Sequence, residues 1–164
     1  MPKLLVLFHA HGAELAPLAE AVSEGARSVR FAEVDVRRLT EGSEVAASRK
    51  PLDRIEELAS YDGIIVGVDS PETSQSVVES LGRFDGSLAD KVGSAFTTQQ
   101  GADRTAALWS TLSPMADRGM ILVPLPFVEG RESETDACRR MGKRVAEVVG
   151  WVTHARSHHH HHHH

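Results

Sequence analysis

Apolar residues along this chain fall into short unbroken runs, separated by stretches where they recur every three or four positions. These are the patterns of buried strands and amphipathic helices. Leu4 to Phe8 is the first run, and Leu15, Leu18 and Val22 then trace one helix face. Val29, Phe31, Val34 and Val36 form a second run, interrupted by Asp35 and ending in Arg37, which predicts an edge strand. Thr40 to Pro51 is small, polar and charged without a period, and reads as a mobile surface loop. Leu52 to Ser60 predicts a short helix with Ile55 and Leu58 inward, leading through Tyr61 and Asp62 into a third run that ends at Val68. Continuous apolarity there predicts a central strand.

Ser70, Pro71 and Glu72 make a helix start, with Val77, Val78, Leu81 and Phe84 as the apolar face that follows. Lys91 to Thr97 is the fourth strand. A helix from about Arg104 to Arg118 should turn Ala107, Leu108, Leu112 and Met115 inward, with Pro114 kinking or splitting it. Met120 to Val123 and Leu125 make a fifth strand. Glu132 to Thr153 is a long amphipathic helix with Cys138, Met141, Val145, Val148 and Val152 on one side. Strands and helices alternating at this spacing predict an α/β fold: a doubly wound, five-stranded parallel sheet of flavodoxin-like order 2-1-3-4-5, with helices on both faces.

That topology locates a site. The first strand gives way to a helix across HAHGAEL, which aims backbone N–H groups and a positive helix end at the carboxyl edge of the sheet, where ligands bind in such folds. The 164 residues suit one domain, taken as residues 1–155. Residues 156–164 end in seven histidines, His158 to His164, and read as an expression tag. Only His9, His11 and His154 then remain, too few for a histidine-rich metal centre. A net charge of -5 and a pI near 6.0 disfavour nucleic acid as a partner. One cysteine, no leader pattern and no apolar stretch of about 18 residues point to a cytoplasmic protein with no membrane partner.

The segments KLLVLF, AEAVSEGA, YDGIIVG and RGMILVP, in this order and at these distances, resemble flavodoxin-like proteins of the tryptophan-repressor-binding protein (WrbA) family, which includes FMN-dependent NAD(P)H:quinone oxidoreductases. The resemblance implies an FMN cofactor, a small-molecule redox substrate and a homodimer. It implies three cofactor-binding loops: Ala10, His11, Gly12, Ala13, Glu14 and Leu15 for the phosphate, and for the flavin ring Asp69, Ser70, Pro71, Glu72 and Thr73 together with Thr97, Thr98, Gln99, Gln100 and Gly101. The family's phosphate loop is rich in hydroxyls and glycine, as in TxTGxT; here Ala10, Gly12, Ala13, Glu14 and Leu15 fall on those positions, and no hydroxyl is present. A carboxylate about 5 Å from a phosphate charge costs roughly 3 kcal/mol at an effective dielectric of 20. A helix N-terminus offers only about 0.3–1 kcal/mol in return. Glu14 facing the loop would therefore repel the anion, whereas Glu14 facing solvent would leave a backbone cradle for it. The third-strand loop has no aromatic residue, and VEGRE stands where family members carry a long insertion before the last helix.

Other constellations have plainer readings. Asp69 followed by Thr97 resembles the phosphoacceptor and switch threonine of response-regulator receivers. The acidic pair and the lysine such a site needs are replaced by His9, Ala10 and His11 and by Pro124, Leu125 and Pro126. Arg139, Arg140, Lys143 and Arg144 read as a solvated helix face, and Cys138 as core. No acid, base or nucleophile is needed from the protein when a flavin carries the chemistry, so no catalytic residue is assigned. The expectation is an FMN-binding redox protein; the alternative is a flavodoxin-like domain that has lost flavin and serves as an interaction or regulatory module.

Overall fold

In the computed structural model, which describes residues 1–9, 14–39, 55–126 and 130–161, the chain runs β1 (Lys3–His9), α1 (Leu15–Arg27), β2 (Glu33–Arg38), a 3-10 helix (Ile55–Ser60), β3 (Gly63–Val68), α2 (Pro71–Gly82), β4 (Val92–Thr97), α3 (Gly101–Asp117), β5 (Ile121–Leu122) and α4 (Glu134–His161). The strands form one parallel sheet in the order β2-β1-β3-β4-β5. The fold is the flavodoxin-like arrangement expected from the alternation of patterns. The surface loop expected over Thr40 to Pro51 lies outside the described residues.

Both faces of the sheet are covered, because every residue of β3 and β4 is buried. Neighbouring positions show which helices cover which face. Space above Gly63 is closed by Val149 of α4, and space above Gly93 by Met115 of α3. Gly93 pairs with Ile64, the next residue after Gly63, so α4 and α3 lie on opposite sides. Packing pairs α1 with α4 and α2 with α3.

The α1–α4 contact is made backbone to backbone. A Cβ at Gly25 would overlap the carbonyl oxygen of Arg139, and one at Gly142 would overlap that of Val22. Two glycines facing each other's helix let the axes approach more closely than any side chain allows. The buried face of α4 is offset slightly from the one read from its sequence. Cys138, Met141 and Val145 are buried as expected, but Val149 is buried while Val148 and Val152 are only half-buried.

Several boundaries differ from the sequence pattern. Strand β2 starts at Glu33 rather than Val29. Val29, Arg30 and Phe31 instead turn the chain out of α1, with Phe31 in the left-handed region (φ 70°), 64% exposed, and its ring under Arg30. Sheet bonding begins where the Glu33 N–H donates to Pro2. Its edge position is as expected. Helix α3 starts a turn earlier than Arg104 and is continuous through Pro114 to Asp117, although the proline has no N–H to donate to the Ser110 carbonyl. Strand β5 is two residues long. Val123 still donates to Gly93, but Pro124 and Pro126 have no N–H with which to continue the ladder. Helix α4 continues past Thr153 to His161, and Arg156, placed in the tag by its sequence context, donates to the Asp90 carbonyl at 2.9 Å.

Candidate functional site

Parallel pairing brings the strand ends level. His9 pairs with Val68 and Val68 with Thr97, so β1, β3 and β4 end side by side at the carboxyl edge of the sheet. The structure thus brings together Leu15, Asp69 to Thr73 and Thr97 to Gly101 around one edge. Ala10, His11, Gly12 and Ala13 lie outside the described residues. His9 is 3% exposed and closes the strand as a buried polar residue.

Glu14 occupies the N-cap of α1 with its side chain exposed and makes no hydrogen bond to the helix. There is no acid in the first turn, and Leu15 is fully buried, anchoring that turn in the core. The amide groups opening α1 are therefore not consumed by a Glu14 cap. They carry the positive end of the helix dipole, an arrangement that accepts an anion.

The opening of α2 is the opposite case. Ser70 Oγ accepts from the Thr73 N–H at 3.2 Å, and Thr73 Oγ1 accepts from the N–H groups of Ser70 (3.0 Å) and Asp69 (3.1 Å), a reciprocal capping box. The single Thr73 hydroxyl proton lies 2.9 Å from the Ser70 carbonyl and 3.1 Å from Asp69 Oδ1 by heavy-atom distance, and Pro71 opens the helix. Thr73 is fully buried. Of the residues expected around the flavin ring, Ser70 and Thr73 are spent on this cap, while Asp69 is half-buried and Pro71 and Glu72 are exposed.

After β4, Thr97 is fully buried and its Oγ1 accepts from the Gln99 N–H at 3.1 Å. Thr98 is half-buried and Gln100 exposed, the latter reaching back to the Thr98 carbonyl at 3.4 Å. Gln99 donates its side-chain amide to the Asp69 carbonyl at 2.5 Å, which ties the β3 and β4 loops together. Gly101 begins α3 in the left-handed region (φ 61°), and a Cβ there would meet open space. Backbone at this point is accessible to a ligand.

Pattern reasoning missed two features. Arg104, nearly buried, donates to the Pro126 carbonyl at 2.9 Å and pairs with Glu134 at 3.4 Å, fastening the start of α3 to the chain after β5 and to α4. Beneath this pair Cys138 is fully buried; desolvation, reinforced by Glu134 and opposed by Arg104, pushes its thiol up to about 12. The second is a cleft of about 380 Å³ between the start of α2 and the outer face of α3, lined by Pro71, Gln99, Asp103, Ala106, Ala107 and Ser110. The 103, 106, 107, 110 spacing is one helical stripe, a signal available in sequence once α3 is known to start at Gly101.

The three arginines of the basic cluster on α4 are engaged with neighbours. Arg139 pairs with Glu24 (3.2 Å) and Asp136 (2.8 Å), Arg140 pairs with Glu132 (2.6 Å), and Arg144 lies 5.1 Å from the Trp151 ring centre. Among the described residues no group of three or more His, Cys, Asp or Glu side chains could hold a metal ion, and no helix is long and apolar enough to cross a membrane.

Comparison with known proteins places this geometry. No family model matches the chain. A protein of Acidovorax ebreus named NAD(P)H dehydrogenase (quinone) is 37% identical over 77% of this chain and 72% of its own length. A protein of the same name from Cupriavidus metallidurans is 34% identical over the same shares, and one from Aromatoleum aromaticum 32% identical over 82% of this chain and 75% of that protein. Among solved structures, an archaeal flavodoxin superposes with a TM-score of 0.61 at 18% identity, covering 90% of this chain and 99% of its own. A short-chain flavodoxin associated with a non-canonical PDU bacterial microcompartment gives 0.66 at 11% identity, covering 91% and 99%. These structures share the fold, and the sequence relatives define the lineage: the chain belongs to the NAD(P)H dehydrogenase (quinone) family of flavodoxin-like proteins.

Proposed function

We propose that this protein binds FMN along the carboxyl edge of its sheet and passes reducing equivalents from a pyridine nucleotide to a quinone. The observation that carries the reading is the start of α1, left without a side-chain cap from Glu14 and without a first-turn acid, in a chain of this family. That opening fits a phosphate group, and the exposed Glu14 side chain does not seal it. Residues 10 to 13 join the phosphate site on the strength of sequence position alone.

Asp69 to Thr73 and Thr97 to Gly101 flank the flavin ring in this reading. Their contribution is position. The capping box holds the first of these loops in one shape, the Gln99–Asp69 bond fixes its spacing from the second, and Gly101 lets backbone approach the ligand. When bound, FMN supplies the redox chemistry. The buried thiol of Cys138 stays protonated at neutral pH and takes no part. The same reading makes the protein cytoplasmic and homodimeric.

Titration of the purified protein against FMN tests the proposal. Saturable quenching of flavin fluorescence at micromolar protein, followed by FMN-dependent reduction of a quinone by NADH or NADPH, is expected. A protein that is colourless and fails to quench FMN sinks the reading in favour of a flavin-free interaction module.

A further inference from the structure

The edge where a phosphate would dock is acidic. Among the described residues around the ends of β1, β3 and β4, the acidic side chains are Glu14, Asp69, Glu72 and Asp103. The described cations there are Arg104, already fastened to the Pro126 carbonyl and to Glu134, and Arg37 and Arg38 at the end of β2. A phosphate monoester carries about -1.5 to -2 charges at pH 7. The hydroxyls that would normally receive it are missing from this chain's first loop. We propose that Arg38, which lies outside the three loops assigned to the cofactor, anchors the phosphate of FMN at the opening of α1; this rests on the redox reading above.

Sheet register places the residue. Arg38 pairs with Phe8, and the Leu39 N–H donates to the Phe8 carbonyl at 3.0 Å, so β2 is bonded to β1 on past Arg38 and buried Leu39 pins the chain there. Paired residues on neighbouring strands point to the same side of a sheet. Leu4 pairs with Gly63, whose open side is closed by Val149 of α4, and Phe8 is four residues on from Leu4. Phe8 and Arg38 therefore share the α4 side. Helix α1 packs with α4 on that side, and its last residue, Arg27, donates to the Val34 carbonyl near the start of β2 at 3.2 Å. The helix runs back along the strands, which puts its opening turn at the other end of β2, where Arg38 is.

Neighbouring strands are about 4.8 Å apart, a span that an arginine side chain covers. Its planar fork suits two phosphate oxygens, and half-burial leaves its charge less screened than a fully exposed one. Glu14 is the one charge carried by the α1 opening itself; Arg38 supplies the opposite sign from the neighbouring strand. Arg37 is an internal control. It pairs with Leu7, on the α3 side, and its Nη1 donates to the Val36 carbonyl at 3.2 Å. It has the same charge at the same strand end, on the other face. A cation on an edge strand also deters edge-to-edge pairing, but that role is indifferent to which flavin is offered.

The experiment compares FMN with riboflavin, which has the same ring and no phosphate, by quenching of flavin fluorescence in the full chain. Arg38→Gln should weaken FMN about tenfold or more and riboflavin less than about twofold, whereas Arg37→Gln should leave both within about twofold. Arg38→Lys, which keeps the charge and loses the fork, should cost about threefold for FMN. Added salt should weaken FMN more steeply in the wild type than in Arg38→Gln. A urea midpoint shows that each variant is folded. An unchanged ratio of FMN to riboflavin affinity in Arg38→Gln, or an equal loss in Arg37→Gln, overturns the assignment. A second arm needs no flavin: inorganic phosphate, against potassium chloride at equal ionic strength, should raise the thermal midpoint of the wild type and Arg37→Gln and not that of Arg38→Gln. Equal stabilisation of all three overturns the anchor. A wild type that binds neither flavin sinks the redox reading separately, and the phosphate arm then decides whether Arg38 holds a phosphate.

Discussion

Two helices begin at the same edge of the sheet and are built in opposite ways. Helix α2 opens on a sealed end: Ser70 and Thr73 satisfy each other's amides and Pro71 removes one donor. Helix α1 opens on Glu14, whose side chain makes no cap bond, and is held instead along its length, where Gly25 and Gly142 let it meet α4 backbone to backbone. A helix secured by its flank can leave its N-terminus available for a ligand. One secured at its N-terminus contributes shape rather than binding groups. In the proposed reading the contrast makes the start of α1 the part that binds and the start of α2 the part that frames, although both were assigned to the cofactor by resemblance alone.

The strongest way to break the contrast is at the flank. Gly25→Ala places a methyl group on the Arg139 carbonyl and should cost about 3 kcal/mol or more, read as a lower denaturation midpoint in urea. A stability loss below about 0.5 kcal/mol would show that the helices separate easily and that the close crossing does not hold α1. Thr73→Val removes the reciprocal cap and should cost about 1–2 kcal/mol, with FMN affinity unchanged if the α2 opening only frames the site. Glu14→Gln removes the one charge at the α1 opening and should tighten FMN about fivefold, with little effect on stability. Equal affinity would place the carboxylate away from the phosphate.

The smallest effect concerns the buried thiol under Arg104 and Glu134. Below pH 9 Cys138 is protonated in folded and unfolded chains alike, since its ordinary value is 9.0. From 9 toward about 12 the unfolded chain loses the proton first, so stability contributed by the buried neutral thiol declines as pH rises. Cys138→Ala should flatten that part of the stability–pH curve. Native protein should resist iodoacetamide at pH 9, whereas unfolded protein should react; rapid alkylation of the native form would contradict the burial.

Much of this was legible in the residues. Unbroken apolar runs identified β1 and β3, a shorter stretch with small residues identified β4, and Ser70-Pro71 located the start of α2 to the residue. The carboxyl edge as the site of interest followed from strand-to-helix alternation. The start of β2 was misread because Val29 and Phe31 continue an apolar pattern, and only the absence of sheet bonding before Glu33 excludes them. The role of Thr73 was hidden: a hydroxyl that serves as a cap and one that serves as a ligand look alike until their partners are seen.

The sequence by itself determined the order of elements, the buried centre of the sheet and the edge at which strand-to-helix turns gather, because these depend on local periodicity and on the short reach of the connecting turns. Only the tertiary structure decided the rest. The glycine crossing of α1 and α4 and the Gln99 tie between loops each join residues far apart in the chain. Such contacts leave no period to read, since a glycine that admits a neighbouring helix and one that merely ends a turn are the same residue until the neighbour is in place.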